Sequence, residues 1–240
     1  MKKLILAAVI SVSVLSCKEQ DTTTYKYADK PTVINCENTD NKLFSEAYYA
    51  FENAILIHGK NTNRRPNIPV TKENVLRNFV TRSRGNLKIT DYVTKESLEV
   101  FNKLKDLDIW NGTQLKNNDP LTECIGNAIS NPTIKASFNT LRSVESLAPK
   151  LMVSTIVDNR TVKGQFKDKV LMTYVAFDMF YAKFFNTDFS AVTFLTEKEK
   201  LVTPTKPVTT NKKPEIGKAL NLDVKKKKKE ANNSHEGHNH

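Results

Sequence analysis

Helix-start patterns recur along the chain and constrain its fold more than any other feature of the sequence. Asp119-Pro120 and Asn131-Pro132 each place a capping side chain directly before a proline at the first helical position. Thr71 and Thr94 offer similar caps ahead of apolar residues that are spaced three or four apart. The sequence therefore predicts an all-α fold built from several short amphipathic helices.

Two segments carry the clearest helical patterns. From Asp40 onward, apolar residues recur at intervals of three and four, as they do along one face of an amphipathic helix. In segment 170–185 only three residues are polar, so the predicted sixth helix is apolar around nearly its whole circumference and central to the fold. The basic segment 58–69 contains two prolines and predicts a loop. Pro149 predicts a kink or a break in the fifth helix.

These helices, about six in number, occupy residues 36–196 and are expected to form one domain. The seven glycines of the chain are few for a β-rich or Rossmann-type protein. Residues 17–35 are polar, lack apolar periodicity and predict a tether. Residues 197–240 are rich in lysine, threonine and proline, and they predict a low-complexity tail that is largely disordered.

The first sixteen residues have the composition of an export signal. A positive start, Met1-Lys2-Lys3, precedes a segment from Leu4 to Leu15 that is apolar except for Ser11 and Ser13. Twelve helical residues rise only about 18 Å, much less than the roughly 30 Å hydrocarbon core of a bilayer. We therefore expect residues 1–16 to be a cleaved signal peptide rather than a transmembrane helix.

The segment ends in Val14-Leu15-Ser16-Cys17, which resembles the lipobox of bacterial lipoproteins. The resemblance implies that cleavage follows Ser16, that the Cys17 thiol receives a diacylglyceryl group, and that the new amino group is acylated in Gram-negative organisms. Two or more acyl chains anchor a protein stably, since each buried CH2 contributes about 0.8 kcal/mol. Lys18 follows the cysteine where inner-membrane lipoproteins of enterobacteria have aspartate, which favours the outer membrane.

The net charge of +11 is unevenly distributed. Residues 197–240 contain eleven lysines and six acidic residues. Five of the lysines form an unbroken run: Lys225, Lys226, Lys227, Lys228 and Lys229. An exported basic tail meets anionic lipid, lipopolysaccharide or cell wall, whereas export separates it from the nucleoid. The expected partners are therefore envelope polyanions and not nucleic acid, and the sequence indicates no protein partner.

Three of the four histidines lie at the end of the chain. His235, His238 and His240, with Glu236 between them, carry side chains that ligate zinc, copper or nickel. A flexible segment offers neither fixed geometry nor outer-shell partners, so the expected affinity is modest. The sequence leaves two alternatives open, adventitious binding and a metal-handling role.

Within the predicted domain, His58 and Asp178 are the residues that stand out chemically. His58 is the domain's only histidine, and we expect it at a loop or a helix end. Asp178 interrupts the apolar sixth helix, where a buried carboxylate needs a partner or a shifted pKa. Arg142 or Thr173 is the expected structural partner of Asp178, and an acid in a ligand pocket is the alternative.

Two basic clusters and one aromatic cluster complete the candidate residues. Arg64-Arg65 and Arg82-Ser83-Arg84 lie in predicted loops and have the chemistry to hold phosphate or acidic sugar groups. Solvated loop charge is the alternative interpretation. We expect the aromatic side chains of the sixth helix to lie in the hydrophobic core, in preference to forming an exposed groove. They are Phe177, Phe180, Tyr181, Phe184 and Phe185.

Cys36 and Cys124 are the two thiols that remain once Cys17 is acylated. Exported domains occupy compartments in which disulfides persist, which favours a bridge between them. The alternative is a buried Cys124 that acts as a small hydrophobe and a free Cys36. A bridge requires the two Cα atoms to lie within about 7 Å of each other.

The sequence contains no motif for catalysis, nucleotide binding or a closed metal site. We therefore expect a lipid-anchored envelope protein, at the outer membrane in preference to the inner, that is a binding or interaction module without a cofactor. An enzyme is not expected, since a hydrolase would need Asp178 or His58 to meet an unrecognised nucleophile. The alternative function is a metal-handling lipoprotein that uses the histidine-rich tail.

Overall fold

The computed structural model describes residues 24–65, 67–85, 87–158 and 163–198. Within them lie seven α-helices and one short hairpin, which confirms the prediction of an all-α fold. The helices are α1 (Asn41–Thr62), α2 (Lys72–Arg82), α3 (Lys95–Leu104), α4 (Pro120–Ala128), α5 (Pro132–Ser143), α6 (Pro149–Val157) and α7 (Lys169–Tyr174). The hairpin pairs β1 (Trp110–Asn111) with β2 (Gln114–Leu115) in antiparallel fashion.

The predicted caps begin the helices as expected. Thr71 and Thr94 are the N-caps of α2 and α3, and each side chain accepts a hydrogen bond from a backbone N–H of the first turn. Asp40, which was not predicted as a cap, does the same for α1. Asp119 and Asn131 do the same for α4 and α5, with proline at the first helical position. These starts depend on neighbouring residues, so the sequence alone could locate them.

Two boundaries differ from the prediction. Helix α1 continues through His58 to Thr62, so the loop predicted from residue 58 begins five residues later. The polar residues at this end of α1 line a cavity and do not mark the end of the helix. At Pro149 the predicted break occurs, but the proline starts the separate helix α6, which raises the number of helices from six to seven.

The central element is α7 together with the helical residues that follow it. After Tyr174 the chain passes through a π-helical segment, Val175–Phe180, and then a 3-10 segment, Tyr181–Asn186. All six residues of the π-helical segment are buried, as predicted for the centre of the domain. Of the five aromatic residues assigned to core, four are fully buried and Phe185 is partly buried.

Part of the predicted tether packs against the domain. Residues 24–35 run along α1, and Ile34 is only 3% exposed. The buried carboxylate of Glu46 accepts hydrogen bonds from the backbone N–H groups of Lys26, at 2.8 Å, and Tyr27, at 2.9 Å. Side chains of α1 satisfy backbone groups of this irregular segment, and hence it needs no apolar periodicity of its own.

A disulfide joins the end of this segment to the helices. Cys36 and Cys124 are bonded, with Cα atoms 5.8 Å apart. Cys36 precedes α1 and Cys124 lies in α4, so the bridge fixes the N-terminal segment to a helix distant in sequence. Of the two alternatives that the sequence left open, the structure contains the bridge.

Several predictions concern residues beyond the described ranges. The signal peptide, Cys17 and the lysine run at 225–229 all lie outside them. Among the described residues, no helix combines the length and the apolar character that crossing a membrane requires.

Candidate anion-binding pocket

A cavity of about 750 Å3 opens between the C-terminal half of α1 and the exposed face of α2. Its volume lies within the roughly 300–1,000 Å3 typical of sites for organic ligands. The loop after α1 and the turn at Asp91 and Tyr92 form its remaining walls. The helical residues that line it are Ile55, His58, Gly59 and Thr62 of α1 and Asn74, Val75, Asn78, Phe79 and Arg82 of α2.

Gly59 sets the distance between the two helices at the floor of the cavity. A Cβ atom added at this position would lie 2.2 Å from Cγ1 of Val75 and 3.3 Å from Cγ1 of Val70. Contacts as short as 2.2 Å do not occur between packed carbon atoms. The absence of a side chain at Gly59 therefore allows α1 and α2 to pack at this separation.

Helix α2 presents a polar stripe to the cavity. Asn74, Asn78 and Arg82 are spaced four residues apart and so lie on one face of the helix. Val75 and Phe79, which also line the cavity, are buried beneath them. Within the described ranges, the side-chain amides of Asn74 and Asn78 make no hydrogen bond. Their donors and acceptors are consequently available to a ligand.

Asn63 organises the loop that carries Arg64 and Arg65. Its side-chain oxygen accepts a hydrogen bond from the backbone N–H of Arg65 at 3.0 Å, and its amide nitrogen donates to the carbonyl of Ile68 at 3.1 Å. The N–H of Ile68 donates in turn to the carbonyl of Arg65 at 2.9 Å. These bonds close the loop on itself and hold both arginines at the rim of the cavity.

His58 and Tyr92 form a stacked pair in the cavity wall. The ring centroids are 3.8 Å apart, and the planes are inclined by 26°. The Nδ1 atom of His58 lies 2.9 Å from the carbonyl oxygen of Asp91, which can only accept, so Nδ1 carries the hydrogen. Burial raises the pKa of the Tyr92 phenol, and the guanidinium of Arg82 opposes this shift.

Positive charge predominates around the cavity. Arg64, Arg65 and Arg82 all line it, and none of them forms an ion pair in the part of the chain that the structure describes. The single carboxylate in the lining, that of Asp91, lies 3.8 Å from Lys88. The arrangement leaves three guanidinium groups without a carboxylate partner, and one of them, that of Arg82, hydrogen-bonds to the Tyr92 hydroxyl.

The structure brings together residues that the sequence treated separately. His58, both arginines of the first basic cluster, and Arg82 of the second line one cavity. Arg84 does not, because it pairs with Asp158 at 2.5 Å and its guanidinium lies 3.4 Å from the Val153 carbonyl. The hydroxyl of Ser83 is also engaged, with the carbonyl of Phe79.

The expected partners of Asp178 were wrong. Its carboxylate accepts a 2.8 Å hydrogen bond from the hydroxyl of Tyr174. It also accepts one from the backbone N–H of Leu115 in β2. Thr173 instead donates to the carbonyl of Lys169, and Arg142 lies 3.8 Å from Glu123. Asp178 is 4% exposed and does not line the cavity.

The residues of the cavity that sequence reasoning missed include Gly59, Asn74, Asn78 and Tyr92. The spacing of Asn74, Asn78 and Arg82 was visible, but a polar stripe on a helix is also the pattern of a solvated face. Tyr92 lies in a short 3-10 segment, Ile89–Tyr92, which no periodicity indicates. No sequence pattern connected these residues to the arginines of the loop.

The predicted metal ligands His235, His238 and His240 lie outside the described residues. Inside the described ranges, no group of three or more histidine, cysteine, aspartate or glutamate residues has an arrangement suited to a metal ion. The metal-handling alternative therefore stays a prediction from the sequence.

Comparisons of the chain with protein-family models, with curated proteins and with solved structures produced no match in any of the three.

Proposed function

We propose that this protein is a lipid-anchored envelope protein whose helical domain binds a ligand bearing an acidic group in the pocket between α1 and α2. The observation that carries the proposal is the convergence of Arg64, Arg65 and Arg82 on one cavity without an ion-pair partner among the described residues. All three arginines are exposed to solvent, so their guanidinium groups can reach a ligand that enters the cavity. An anionic ligand supplies the charge that this cavity lacks.

The chemistry of the lining suits carboxylate or phosphate. Each guanidinium presents several N–H donors in a planar fork that matches two oxygens of either group. The arginines come from two elements, the loop after α1 and the end of α2, and so they approach the cavity from two sides. Arg64, Arg65 and Arg82 are exposed to solvent, whereas Ile55 and Phe79 are buried, so the charged groups surround an apolar part of the lining.

The anchor rests on residues 1–17, and the structure of the domain adds two supporting observations. The disulfide suits an exported protein, because such bonds persist outside the cytoplasm. The packed part of the chain begins close to the proposed lipid, since Lys26, whose backbone N–H donates to Glu46, follows Cys17 by nine positions. Nine residues span at most about 30 Å, so the anchor would hold the domain close to the bilayer surface.

The binding proposal is tested with the full-length protein in detergent and two simple anions, citrate and inorganic phosphate. Dissociation constants are measured by NMR titration at low ionic strength for the wild type and for Arg64→Gln and Arg82→Gln. Each substitution is expected to weaken anion binding by about tenfold or more, because a charge-assisted hydrogen bond contributes roughly 1.5–3 kcal/mol.

Arg77→Gln is the matched control for these variants. Arg77 also lies on α2 and carries the same charge, but it packs over the ring of Phe166 at 4.7 Å and does not line the cavity. Binding should survive this substitution with little change. Absence of anion binding, or an equal loss in Arg77→Gln, contradicts the proposal.

A further inference from the structure

We infer that the ligand of this pocket is a saccharide that carries a carboxylate or phosphate group. The inference rests on the proposed function, to which it adds the part of the ligand that is not charged. The arginines alone would be satisfied by an inorganic anion. Three other features of the cavity, namely its size, its free amides and its ring surface, call for a larger polyhydroxylated molecule.

The size of the cavity exceeds the needs of a single anionic group. At about 750 Å3 it belongs with sites that enclose organic ligands. Arg64 and Arg65 lie on the loop, whereas Asn74 lies in the first turn of α2, eight residues before Arg82. Eight helical residues extend about 12 Å, so the polar lining continues well beyond any one carboxylate or phosphate.

The free amides indicate hydroxyl groups. Each of Asn74 and Asn78 presents both donors and an acceptor, and neither is satisfied within the described residues. An arginine can only donate, so it selects acceptors such as carboxylate oxygens. A sugar hydroxyl donates and accepts at once, which is the property that a side-chain amide complements. The polar stripe of α2 therefore offers Arg82 to the acidic group of the ligand and Asn74 and Asn78 to its hydroxyl groups.

The remaining wall offers surface for a sugar ring. Tyr92 stacks on one face of the His58 imidazole, and both residues line the cavity. The aliphatic side chains of Ile68, Pro69 and Val70 complete this part of the lining. Flat aromatic and apolar surfaces pack against the C–H face of a pyranose, while its hydroxyls point to the edges of the ring.

The test measures five probes on the full-length protein in detergent by NMR titration: D-glucuronate, D-glucose 6-phosphate, D-glucose, citrate and inorganic phosphate. At least one of the two acidic sugars should bind about tenfold or more tightly than glucose, citrate and phosphate. A preference for glucuronate identifies carboxylate as the acidic group, and a preference for glucose 6-phosphate identifies phosphate.

A pair of variants separates the hydroxyl contacts from the charge. Asn74→Ala with Asn78→Ala should weaken binding of the preferred acidic sugar about fivefold or more, since each lost hydrogen bond contributes roughly 1 kcal/mol. The same double variant should weaken the binding of inorganic phosphate less, because phosphate is too small to extend from Arg82 to Asn74, eight helical residues away. Asn102→Ala, an exposed asparagine on α3 outside the cavity, is the matched control.

The outcomes distinguish this inference from the proposed function. If citrate or phosphate binds as tightly as both acidic sugars, the saccharide inference is wrong while the anion pocket stands. If no acidic probe binds, both are wrong. If glucose binds as tightly as the acidic sugars, the requirement for an acidic group fails, and the proposed function fails with it.

Discussion

The hydroxyl of Tyr174 donates a 2.8 Å hydrogen bond to the carboxylate of Asp178 one helical turn away, in the interior of the domain. Burial raises the pKa of Asp178 to about 6, against the opposing effects of the Tyr174 hydroxyl, the Leu115 backbone N–H and the charge of Lys183. These two polar contacts tie the π-helical segment to α7 and to β2. Ionised Asp178 is thus the less favourable form in the folded state.

Asp178 should make the folded protein less stable as the pH rises. Because the pKa is raised from 3.8 to about 6 on folding, the native state holds the proton more tightly than the unfolded state. This advantage is complete below pH 4 and is lost as the pH passes through 6. Relative to the wild type, Asp178→Asn should therefore gain about 3 kcal/mol in unfolding free energy between pH 4 and pH 7.

Urea denaturation at a series of pH values measures this difference. Asp188→Asn is the control, because Asp188 is fully exposed and the Ser190 backbone N–H lowers its pKa. Any contribution of Asp188 to the unfolding free energy is lost only below pH 4. Above that pH, the unfolding free energies of Asp188→Asn and of the wild type should therefore change with pH in the same way. A constant difference between Asp178→Asn and the wild type would mean that Asp178 does not titrate in this range.

Gly59→Ala should destabilise the domain, although alanine is the better helix former. The new methyl group would overlap Val75 and force α1 and α2 apart, at a cost of about 1–3 kcal/mol. The gain in helix propensity is only about 1 kcal/mol. Gly85→Ala is the matched control, because a Cβ there meets nothing within 4 Å. Urea midpoints compare the two, and equal midpoints would show that Gly59 does not limit the helix separation.

Cys17→Ala should abolish lipid attachment. The variant is expected to incorporate no radiolabelled palmitate and to keep its first sixteen residues, because the lipobox cysteine is both the acylated group and the cleavage marker. Cys124→Ala is the control, since it removes a cysteine but leaves the lipobox intact. Normal labelling and processing of Cys17→Ala would rule out the lipoprotein interpretation.

The helix starts could be predicted from the sequence, whereas the pocket could not. A cap such as Asp119 or Asn131 acts on backbone groups two or three residues away, so local sequence contains the whole interaction. Arg65 and Arg82 meet at one cavity only because α1 packs closely on α2 at Gly59. That contact is tertiary, and no local pattern in the chain encodes it.

Tertiary contacts also determine the partner of Asp178 and the packing of residues 24–35, which is why neither could be predicted from local sequence. The expected neighbour Thr173 belongs to the same predicted helix as Asp178, but its hydroxyl donates to the Lys169 carbonyl. The N-terminal segment lacks apolar periodicity, and the carboxylate of Glu46 in α1 holds its backbone at Lys26 and Tyr27. A buried carboxylate that binds backbone N–H groups cannot be distinguished in the sequence from a solvated one.

The Cys36–Cys124 bridge should contribute a large share of the domain's stability. It closes a loop over a sequence separation of 88 residues, for which chain-entropy arguments and measured disulfide removals give roughly 2–5 kcal/mol. Cys36→Ala with Cys124→Ala should lower the unfolding free energy by this amount in urea titrations. Treating the wild type with reductant should reproduce the loss and leave the double variant unaffected. Hydrogen exchange at the Val33 N–H, which donates to Ser45 at 3.0 Å, should accelerate in both cases. Two maleimide-reactive thiols per unreduced, unfolded wild-type chain would show that no bridge forms.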